Sequence, residues 1–361
     1  MRIDQLTFTR FVAAMTVVFF HFGGSIPYLN QEPWSALLRA GNISVSYFFT
    51  LSGFILAIAY YSLENRKLDH ARYAVARFAR TYPLYLIGLL LMVPLVMYAG
   101  NNGKKALLLN LALLQAWFPG YAMTFNSPSW ALSVEMFFYV TFPFLLILFA
   151  KRSPKFLLGV AGVLWLVSQI LHTYLLNYYY QPYPSPEHEF IYYFPLLHLN
   201  AFVLGLAIGM IFKNYRERIN IRPKITFWGV LLSFAAICIS IMYWHEITAW
   251  LDVSIALTNG VLSPLFGVFI VFLSLDTSII SRIMQHKTLI LLGEASYAIY
   301  ILQEPISQIY YYQFAVRTNW SDAAHFYILM GLLISISLLA LKWVEKPARY
   351  WLRKQAQKIF L

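Results

Sequence analysis

The stretch TRFVAAMTVVFFHF, residues 9–22, has the apolar composition of a membrane-spanning helix, yet it contains Arg10 and His21. An arginine at the centre of a bilayer costs about 2.5–3.5 kcal/mol on insertion scales. Ionisable side chains inside a membrane usually face a cavity within the protein, where they find partners or act on a substrate. The stretch therefore predicts a helical membrane fold with a polar interior.

The composition of the whole chain indicates a polytopic membrane protein. Of its 361 residues, 60% are hydrophobic and 12% are charged, and the mean hydropathy is +0.61. An ordinary soluble domain has about 25% charged residues. Because Cys238 is the single cysteine, an internal disulfide and a paired-cysteine metal or redox motif are excluded. We expect an all-α fold and no bound metal.

Apolar runs of about 20 residues predict ten transmembrane helices. These lie near residues 5–23, 42–60, 82–99, 131–150, 156–176, 194–212, 225–243, 254–274, 289–310 and 323–343. The run 106–118 is too short to cross a bilayer and is interpreted as an interfacial or re-entrant helix. The absence of repeats and linkers assigns residues 1–345 to one membrane-embedded domain and 346–361 to a short basic tail. The first helix is expected to stay attached, since no small-residue cleavage site follows His21.

The basic residues predict that both termini are cytoplasmic. Short cytoplasmic loops retain lysine and arginine, and this orientation places 22 of the 27 such residues inside. Those that would lie outside are Arg39, Lys104, Lys105 and Arg317, whereas Arg10 lies within the membrane. The net charge of +12 mostly reflects this bias, so the lipid bilayer is the expected anionic partner and nucleic acid is not needed to explain it.

Arg10 and His21 lie on the same face of the first predicted helix. Eleven residues at about 100° each come within about 20° of three full turns, which separates the two side chains by about 16 Å along the axis. Arg10 is then near the cytoplasmic side and His21 near the outer side. Each residue also has a purely structural interpretation. Arg10 could extend its charged end to the membrane interface, and His21 could be an interfacial histidine whose hydrogen bonds are satisfied.

A third ionisable residue, Glu135, lies within SPSWALSVEMFFY, residues 127–139. Pro128 suits a first helical position with Ser127 as the N-cap, which puts Glu135 about two turns into the helix and too far along for a capping box. At that depth on the outer half, Glu135 is expected at the level of His21. A carboxylate beside the imidazole would fix its tautomer, so His21 and Glu135 are our predicted catalytic pair.

Arginines cluster where the third predicted helix enters the membrane. Arg77 and Arg80 have i,i+3 spacing in YAVARFARTYP, residues 73–83, and Arg72 is one further turn back. Guanidinium groups bind phosphates through paired hydrogen bonds. Arg72, Arg77 and Arg80, with Arg10, are therefore the candidate anion-binding residues, and the alternative is plain positive-inside anchoring.

The predicted outer loop NYYYQPYPSPEHEFIYY, residues 177–193, is rich in tyrosine and contains no lysine or arginine. Aromatic residues at this level form interfacial belts. The alternative is that these rings stack on sugars at an extracytoplasmic acceptor site.

Six short motifs now carry a resemblance across nearly the full length. They are Arg10 with ten residues before His21, FFTLSGFIL at 48–56, RFAR followed by TYP at 77–83, SWALSVEMFFY at 129–139, SYAIYILQEPI at 296–306 and VEKP at 344–347. In this order they resemble the acyltransferase 3 family of integral membrane O-acyltransferases. The chain departs from that pattern at His198 and Ala201, where similar proteins often carry an arginine and, nearby, an acidic residue.

The resemblance implies a specific activity. An acyl group, commonly acetyl, would pass from acyl-CoA on the cytoplasmic side to a carbohydrate hydroxyl at or beyond the outer face. The family treats the histidine matched by His21 and the arginines matched by Arg77 and Arg80 as essential. We expect a stand-alone transferase of the inner (cytoplasmic) membrane, working with a polysaccharide-synthesis machinery or with a second copy of itself.

Two routes and one rival function are open at this stage. His21 would either deprotonate the acceptor hydroxyl for direct attack, or accept the acyl group and pass it outward. The rival is a transporter or flippase in which Arg10, His21 and Glu135 form an ion relay. Inverted halves or paired broken helices would favour transport, and the sequence shows neither.

Overall fold

The computed structural model describes residues 3–27, 29, 31–32, 34–62, 68–97, 103–219 and 221–360. Arg2, Arg66 and Lys67, which the orientation prediction counts as cytoplasmic, lie outside these residues. The end of the predicted span 82–99 also lies outside them. Every regular element in the described part of the chain is helical.

The described residues form sixteen α-helices joined by short turns. The first eight are α1 (Gln5–Phe22), α2 (Trp34–Arg39), α3 (Ile43–Tyr60), α4 (His70–Met97), α5 (Gly103–Leu111), α6 (Trp130–Phe149), α7 (Pro154–Tyr178) and α8 (Pro186–Tyr193). The remaining eight are α9 (Leu199–Tyr215), α10 (Pro223–Met242), α11 (Trp244–Leu251), α12 (Ser263–Leu275), α13 (Ile279–Met284), α14 (Lys287–Gln313), α15 (Asp322–Ala340) and α16 (Lys346–Phe360).

Among the described residues, eight helical runs are long and apolar enough to cross a membrane, and each overlaps a predicted span. They are Gln5–Phe22, Ile43–Tyr60, His70–Leu95, Ser127–Phe149, Pro154–Tyr178, Pro186–Arg218, Pro223–Met242 and Asp322–Lys358. The predicted span 254–274 overlaps the 13-residue α12, and the predicted span 289–310 lies within the 27-residue α14. The all-α, multi-pass membrane fold is therefore confirmed. The total of ten spans and the side of the termini stay predictions.

Glycines bring the central helices into backbone contact. A Cβ atom on Gly205 of α9 would lie 1.9 Å from the carbonyl oxygen of Thr50 on α3, and one on Gly293 of α14 would lie 2.0 Å from that of Thr7 on α1. Lipid supplies little hydrophobic drive for helix association, so such small-residue interfaces hold membrane bundles together through close packing. The second contact places Arg10, one turn after Thr7, against α14.

The segment between α5 and α6 enters the bundle and turns back. It contains a 3₁₀ turn at Gln115–Trp117 and a second one at Ser127–Ser129. The Asn126 amide donates to the carbonyl oxygen of Ile301 at 2.8 Å, and Ile301 lies near the midpoint of α14. α6 therefore begins close to the middle of the bundle. Residues 106–118 contain no single helix long enough to span a bilayer, as expected.

The chain is continuously helical from α15 into α16 through a π turn at Leu341–Glu345. The 37-residue run Asp322–Lys358 measures about 55 Å at 1.5 Å per residue, against about 30 Å of hydrocarbon. α16 packs against α4. The segment predicted only as a basic tail is thus an ordered helix beside the arginines of α4.

Candidate active site

A cavity of about 260 Å³ lies where α1 begins and α3 ends. Its charged side chains come from three helices, and it is otherwise lined largely by apolar side chains. They are Arg10 of α1, Arg77 and Arg80 of α4, and Glu135 of α6, and Tyr139 of α6 also lines the cavity. We call it the arginine cavity. Three of the four predicted anion-binding arginines thus share one space.

Arg77 is held by aromatic side chains and keeps a donor available. One terminal nitrogen donates to the Tyr60 hydroxyl at 3.1 Å. The guanidinium lies 5.4 Å from the ring centroid of Tyr60 and 5.8 Å from that of Tyr139, within the range of cation–π attraction. Its buried Nε has no hydrogen-bond partner in the described residues. A fixed guanidinium with an unused donor is suited to an anionic ligand.

Arg72 does not join this cavity. Its side chain is 55% exposed and forms a 3.0 Å ion pair with Asp69. Arg72 precedes Arg77 by five residues, which is about 500° of helical rotation and leaves the two side chains about 140° apart. The predicted clustering of Arg72 with Arg77 and Arg80 is therefore wrong, although the Arg77 and Arg80 pair does share one face.

Glu135 lies among the arginines and not beside His21. It accepts a hydrogen bond from the Tyr139 hydroxyl one turn later on α6, and its charge interacts with that of Arg10. The expected His21–Glu135 contact is absent from the described structure. The sequence reasoning put Ser127 and Pro128 at the membrane surface, whereas the inserted segment carries them to mid-depth. Glu135 therefore lies on the far side of the bundle's middle.

A second and larger cavity, of about 1120 Å³, lies at the opposite end, where α1 ends and α3 begins. We call it the histidine cavity because His21 lines it. The aromatic and imidazole side chains that share its wall include Trp130 of α6, His188, Tyr192 and Tyr193 of α8, and Trp244 of α11.

His21 has a different carboxylate neighbour from the one predicted. Its charge interacts with that of Glu304 on α14, and the side chain of Gln303 adjoins its ring. Glu304 is held in turn by hydrogen bonds from Ser127 Oγ at 3.3 Å and from the Gln308 amide at 2.9 Å. Gln303 is fully buried. Glu304, which lies within the motif at 296–306, is the acidic residue that can orient His21.

The tyrosine-rich loop serves two purposes. Tyr192, Tyr193 and His188 line the histidine cavity, as the sugar-stacking interpretation requires, whereas Tyr178 and Tyr183 point outward and are exposed. His198, where the chain departs from the family pattern, is buried and packs between the rings of Phe49 and Trp130 at 5.3 and 5.2 Å. It supports the cavity walls.

Val45 and Tyr300 line both cavities. Val45 is buried, and the Tyr300 ring lies 6.1 Å from that of Phe48. One thin partition thus separates a site rich in arginine from a site rich in aromatic residues and histidine. The arrangement can hold an anionic ligand on one side and a polar acceptor on the other, with their reactive ends at the partition.

Some residues of these sites escaped the sequence analysis. Trp244 lies in a polar, irregular region without a motif, and Gln303 carries no charge that would mark it as a candidate site residue. Glu345 lies within the VEKP motif and Arg349 follows it, but nothing in the sequence signals that a π turn brings them back to α4. The VEKP motif was the feature of the sequence that could have drawn attention to these two residues.

A family model for the acyltransferase domain matches residues 3–342. The chain belongs to the acyltransferase 3 family. This confirms the resemblance carried by the six motifs.

Relatives with curated names agree with the acyltransferase 3 assignment. The chain is 30% identical over 229 residues to the acyltransferase MdmB of Streptomyces mycarofaciens, which covers 59% of this chain and 58% of that protein. It is 25% identical over 322 residues to the peptidoglycan O-acetyltransferase OatA of Listeria monocytogenes, which covers 82% of this chain and 48% of that protein. The chain spans about half the length of these two relatives. No solved structure matches it.

Proposed function

We propose that this protein transfers an acyl group, most simply acetyl, from cytoplasmic acyl-CoA to a hydroxyl of a carbohydrate at or beyond the outer face of the cytoplasmic membrane. The observation that carries the proposal is the pair of cavities at opposite ends of the bundle, which meet at Val45 and Tyr300. An acyl group presented at this partition is accessible from both sides of the membrane.

The arginine cavity suits the donor. Arg10, Arg77 and Arg80 supply charge-assisted donors for the phosphates of coenzyme A, while the apolar lining accommodates the pantetheine arm. The positive-inside bias puts this end of the bundle in the cytoplasm, where acyl-CoA is made. Glu135 partly offsets the positive charge of the cavity through its interaction with Arg10, and the Tyr139 ring packs against Arg77.

The histidine cavity suits a carbohydrate acceptor. Trp130, Tyr193 and Trp244 present aromatic surfaces of the kind that pack against the apolar faces of sugar rings while leaving polar rims free. Its volume of about 1120 Å³ exceeds the usual range for a drug-sized ligand, about 300–1,000 Å³. The name of OatA, a peptidoglycan O-acetyltransferase, favours an envelope glycan and an acetyl group.

His21 is the proposed catalytic residue. In direct transfer, its imidazole removes the proton of the acceptor hydroxyl, the oxygen attacks the thioester carbonyl, and the carbon–sulfur bond breaks to release the thiol of coenzyme A after it regains a proton. In the two-step route the imidazole nitrogen attacks the thioester carbonyl, and the carbon–sulfur bond breaks with release of the thiol of coenzyme A. The acceptor hydroxyl then attacks the acyl group, loses its proton and displaces the imidazole. Glu304 supports the imidazole in both routes.

The transporter alternative has less support. An ion relay would require Arg10, Glu135 and His21 to form a continuous chain of polar groups. In the described residues, Arg10 and Glu135 share one cavity, and His21 lies in the other beyond Val45 and Tyr300. This separation favours two binding sites over one pathway.

The direct test is mass spectrometry of cell-envelope glycans from cells with and without the protein. We expect an added acyl mass on glycans only when the protein is present. Movement of an unmodified glycan across the membrane, with no covalent product, would favour the transporter and contradict the proposal.

A further inference from the structure

The π turn before α16 builds an ion pair next to the arginine cavity. Glu345 and Arg349 are paired at i,i+4 spacing through Oε2 and a terminal guanidinium nitrogen, with side chains 1% and 28% exposed. The other carboxylate oxygen of Glu345 and the Nε of Arg349 are buried without hydrogen-bond partners in the described residues. Buried polar atoms usually find partners, so this pair has unused capacity for a ligand.

Arg349 faces the donor side of the protein. Its charge interacts with that of Arg80 and with Tyr297, and it also interacts with that of Arg10. Arg80, Arg10 and Tyr297 all line the arginine cavity. α16 packs against α4, and the π turn that contains Glu345 contacts both α4 and α14, so the fold holds Arg349 near the helices that carry Arg80 and Tyr297.

The charges of this cluster are unbalanced. Its members are the guanidinium groups of Arg10, Arg77, Arg80 and Arg349 and the carboxylates of Glu135 and Glu345. The cluster therefore has four positive groups and two negative ones. Like charges brought together away from bulk water repel strongly, and a bound phosphate, which carries negative charge and several acceptor oxygens, would relieve that repulsion.

We propose that Arg349 is a further donor-binding residue, which joins Arg10 and Arg80 in holding a phosphate group of acyl-CoA, and that Glu345 keeps Arg349 in position before the donor arrives. This inference rests on the proposed donor site and adds a residue from α16 to it. The phosphate takes up hydrogen bonds that Arg349 leaves unused, and Glu345 remains its second partner.

The head group of an anionic lipid offers the same phosphate chemistry, but the geometry favours coenzyme A. Glu345 is almost completely buried, and the charge of Arg349 interacts with Tyr297, which lines the arginine cavity. The outward surface around the π turn instead carries exposed aromatic residues, Trp343, Tyr350 and Trp351, which suit the membrane interface.

The experiment is calorimetric titration of coenzyme A into the full-length protein in nanodiscs of phosphatidylcholine, which has no net charge. The variants are Arg349→Gln and the double variant Glu345→Gln/Arg349→Gln, which leaves no buried carboxylate unpaired. Lys358→Gln is the matched control, since it removes the same charge from an exposed position of the same helix.

Both Arg349 variants are expected to bind coenzyme A about tenfold more weakly than wild type, in line with the loss of one hydrogen bond to a charged group. Arg349→Lys should recover part of this loss. The Michaelis constant for the acyl donor should rise by a similar factor while that for the acceptor stays unchanged, a split that a merely structural role would not produce.

Unchanged coenzyme A affinity in a folded double variant overturns the inference and leaves the proposed function standing. The same conclusion follows if the variants bind coenzyme A as wild type does but copurify with less phosphatidylglycerol. No binding of coenzyme A by the wild-type protein overturns both the proposed donor and this inference, so the two failures are distinguishable.

Discussion

Tyr300 donates a hydrogen bond of 3.0 Å to the carbonyl oxygen of Pro128 and so ties the middle of α14 to the turn that precedes α6. The same tyrosine lines both the arginine and the histidine cavity. The partition between the two proposed substrate sites is therefore held by an inserted segment.

Removing the Tyr300 ring should uncouple the reaction. Tyr300→Ala is expected to raise the hydrolysis of acetyl-CoA in the absence of acceptor severalfold, because water from the histidine cavity reaches the thioester. The released thiol measures this rate. Tyr300→Phe keeps the ring and serves as the control, with hydrolysis near the wild-type level. An alanine variant that releases no more coenzyme A than wild type would show that the partition lies elsewhere.

Glu135 should affect the binding of the acyl donor and not the action of His21 as a base. Glu135→Gln removes a negative charge close to Arg10, so the anionic donor should bind severalfold more tightly because less negative charge opposes it. Titration with coenzyme A measures the change, and Glu187→Gln, on the exposed surface of α8, is the control. Unchanged donor affinity together with a 10²–10⁴-fold loss of turnover, the usual scale of acid–base help, would instead restore Glu135 as the partner of His21.

Glu304 is expected to support catalysis from the acceptor side. Glu304→Gln preserves size but removes the charge that stabilises a protonated His21, so turnover should fall by at least about tenfold, toward the scale of acid–base help. Coenzyme A affinity should be unchanged, because Glu304 lies on the histidine side of the partition. Steady-state kinetics and titration of the same preparation give the two numbers. Wild-type turnover in this variant would mean that His21 has no carboxylate partner in α14.

The stability of the protein should depend on the close packing of α3 against α9. Gly205→Leu places side-chain atoms where the Thr50 carbonyl oxygen already lies 1.9 Å from a Cβ position, so the helices must separate. Thermal unfolding in detergent should occur at a distinctly lower temperature. Gly159→Leu is the control, since a Cβ atom on Gly159 meets nothing within 4 Å. Equal melting temperatures for the two variants would contradict this interpretation of the contact.

Local patterns were sufficient to predict the membrane fold and part of the site. Hydropathy identified the helices, because a bilayer imposes both length and composition on each span. The i,i+3 spacing placed Arg77 and Arg80 together, since neighbours at that spacing share a helix face. These predictions depend only on the geometry of one helix.

Predictions that required depth or contact between distant elements were less successful. Glu135 was expected beside His21 because α6 was assumed to begin at the membrane surface, and only the contact of Asn126 with Ile301 reveals the inserted segment. Arg349 was counted as part of a basic tail because a π turn has no clear sequence signature. Both residues depend on tertiary packing that a single sequence does not record.

The central claim is that His21 performs the transfer in a cavity separate from the donor site. Mass spectrometry of envelope glycans from cells producing His21→Ala or wild-type protein at equal membrane levels tests it most directly. We predict that the wild-type protein adds acyl mass to glycans and that the variant adds none, although it is inserted normally and still binds coenzyme A. Wild-type acylation by a folded His21→Ala protein would contradict the account.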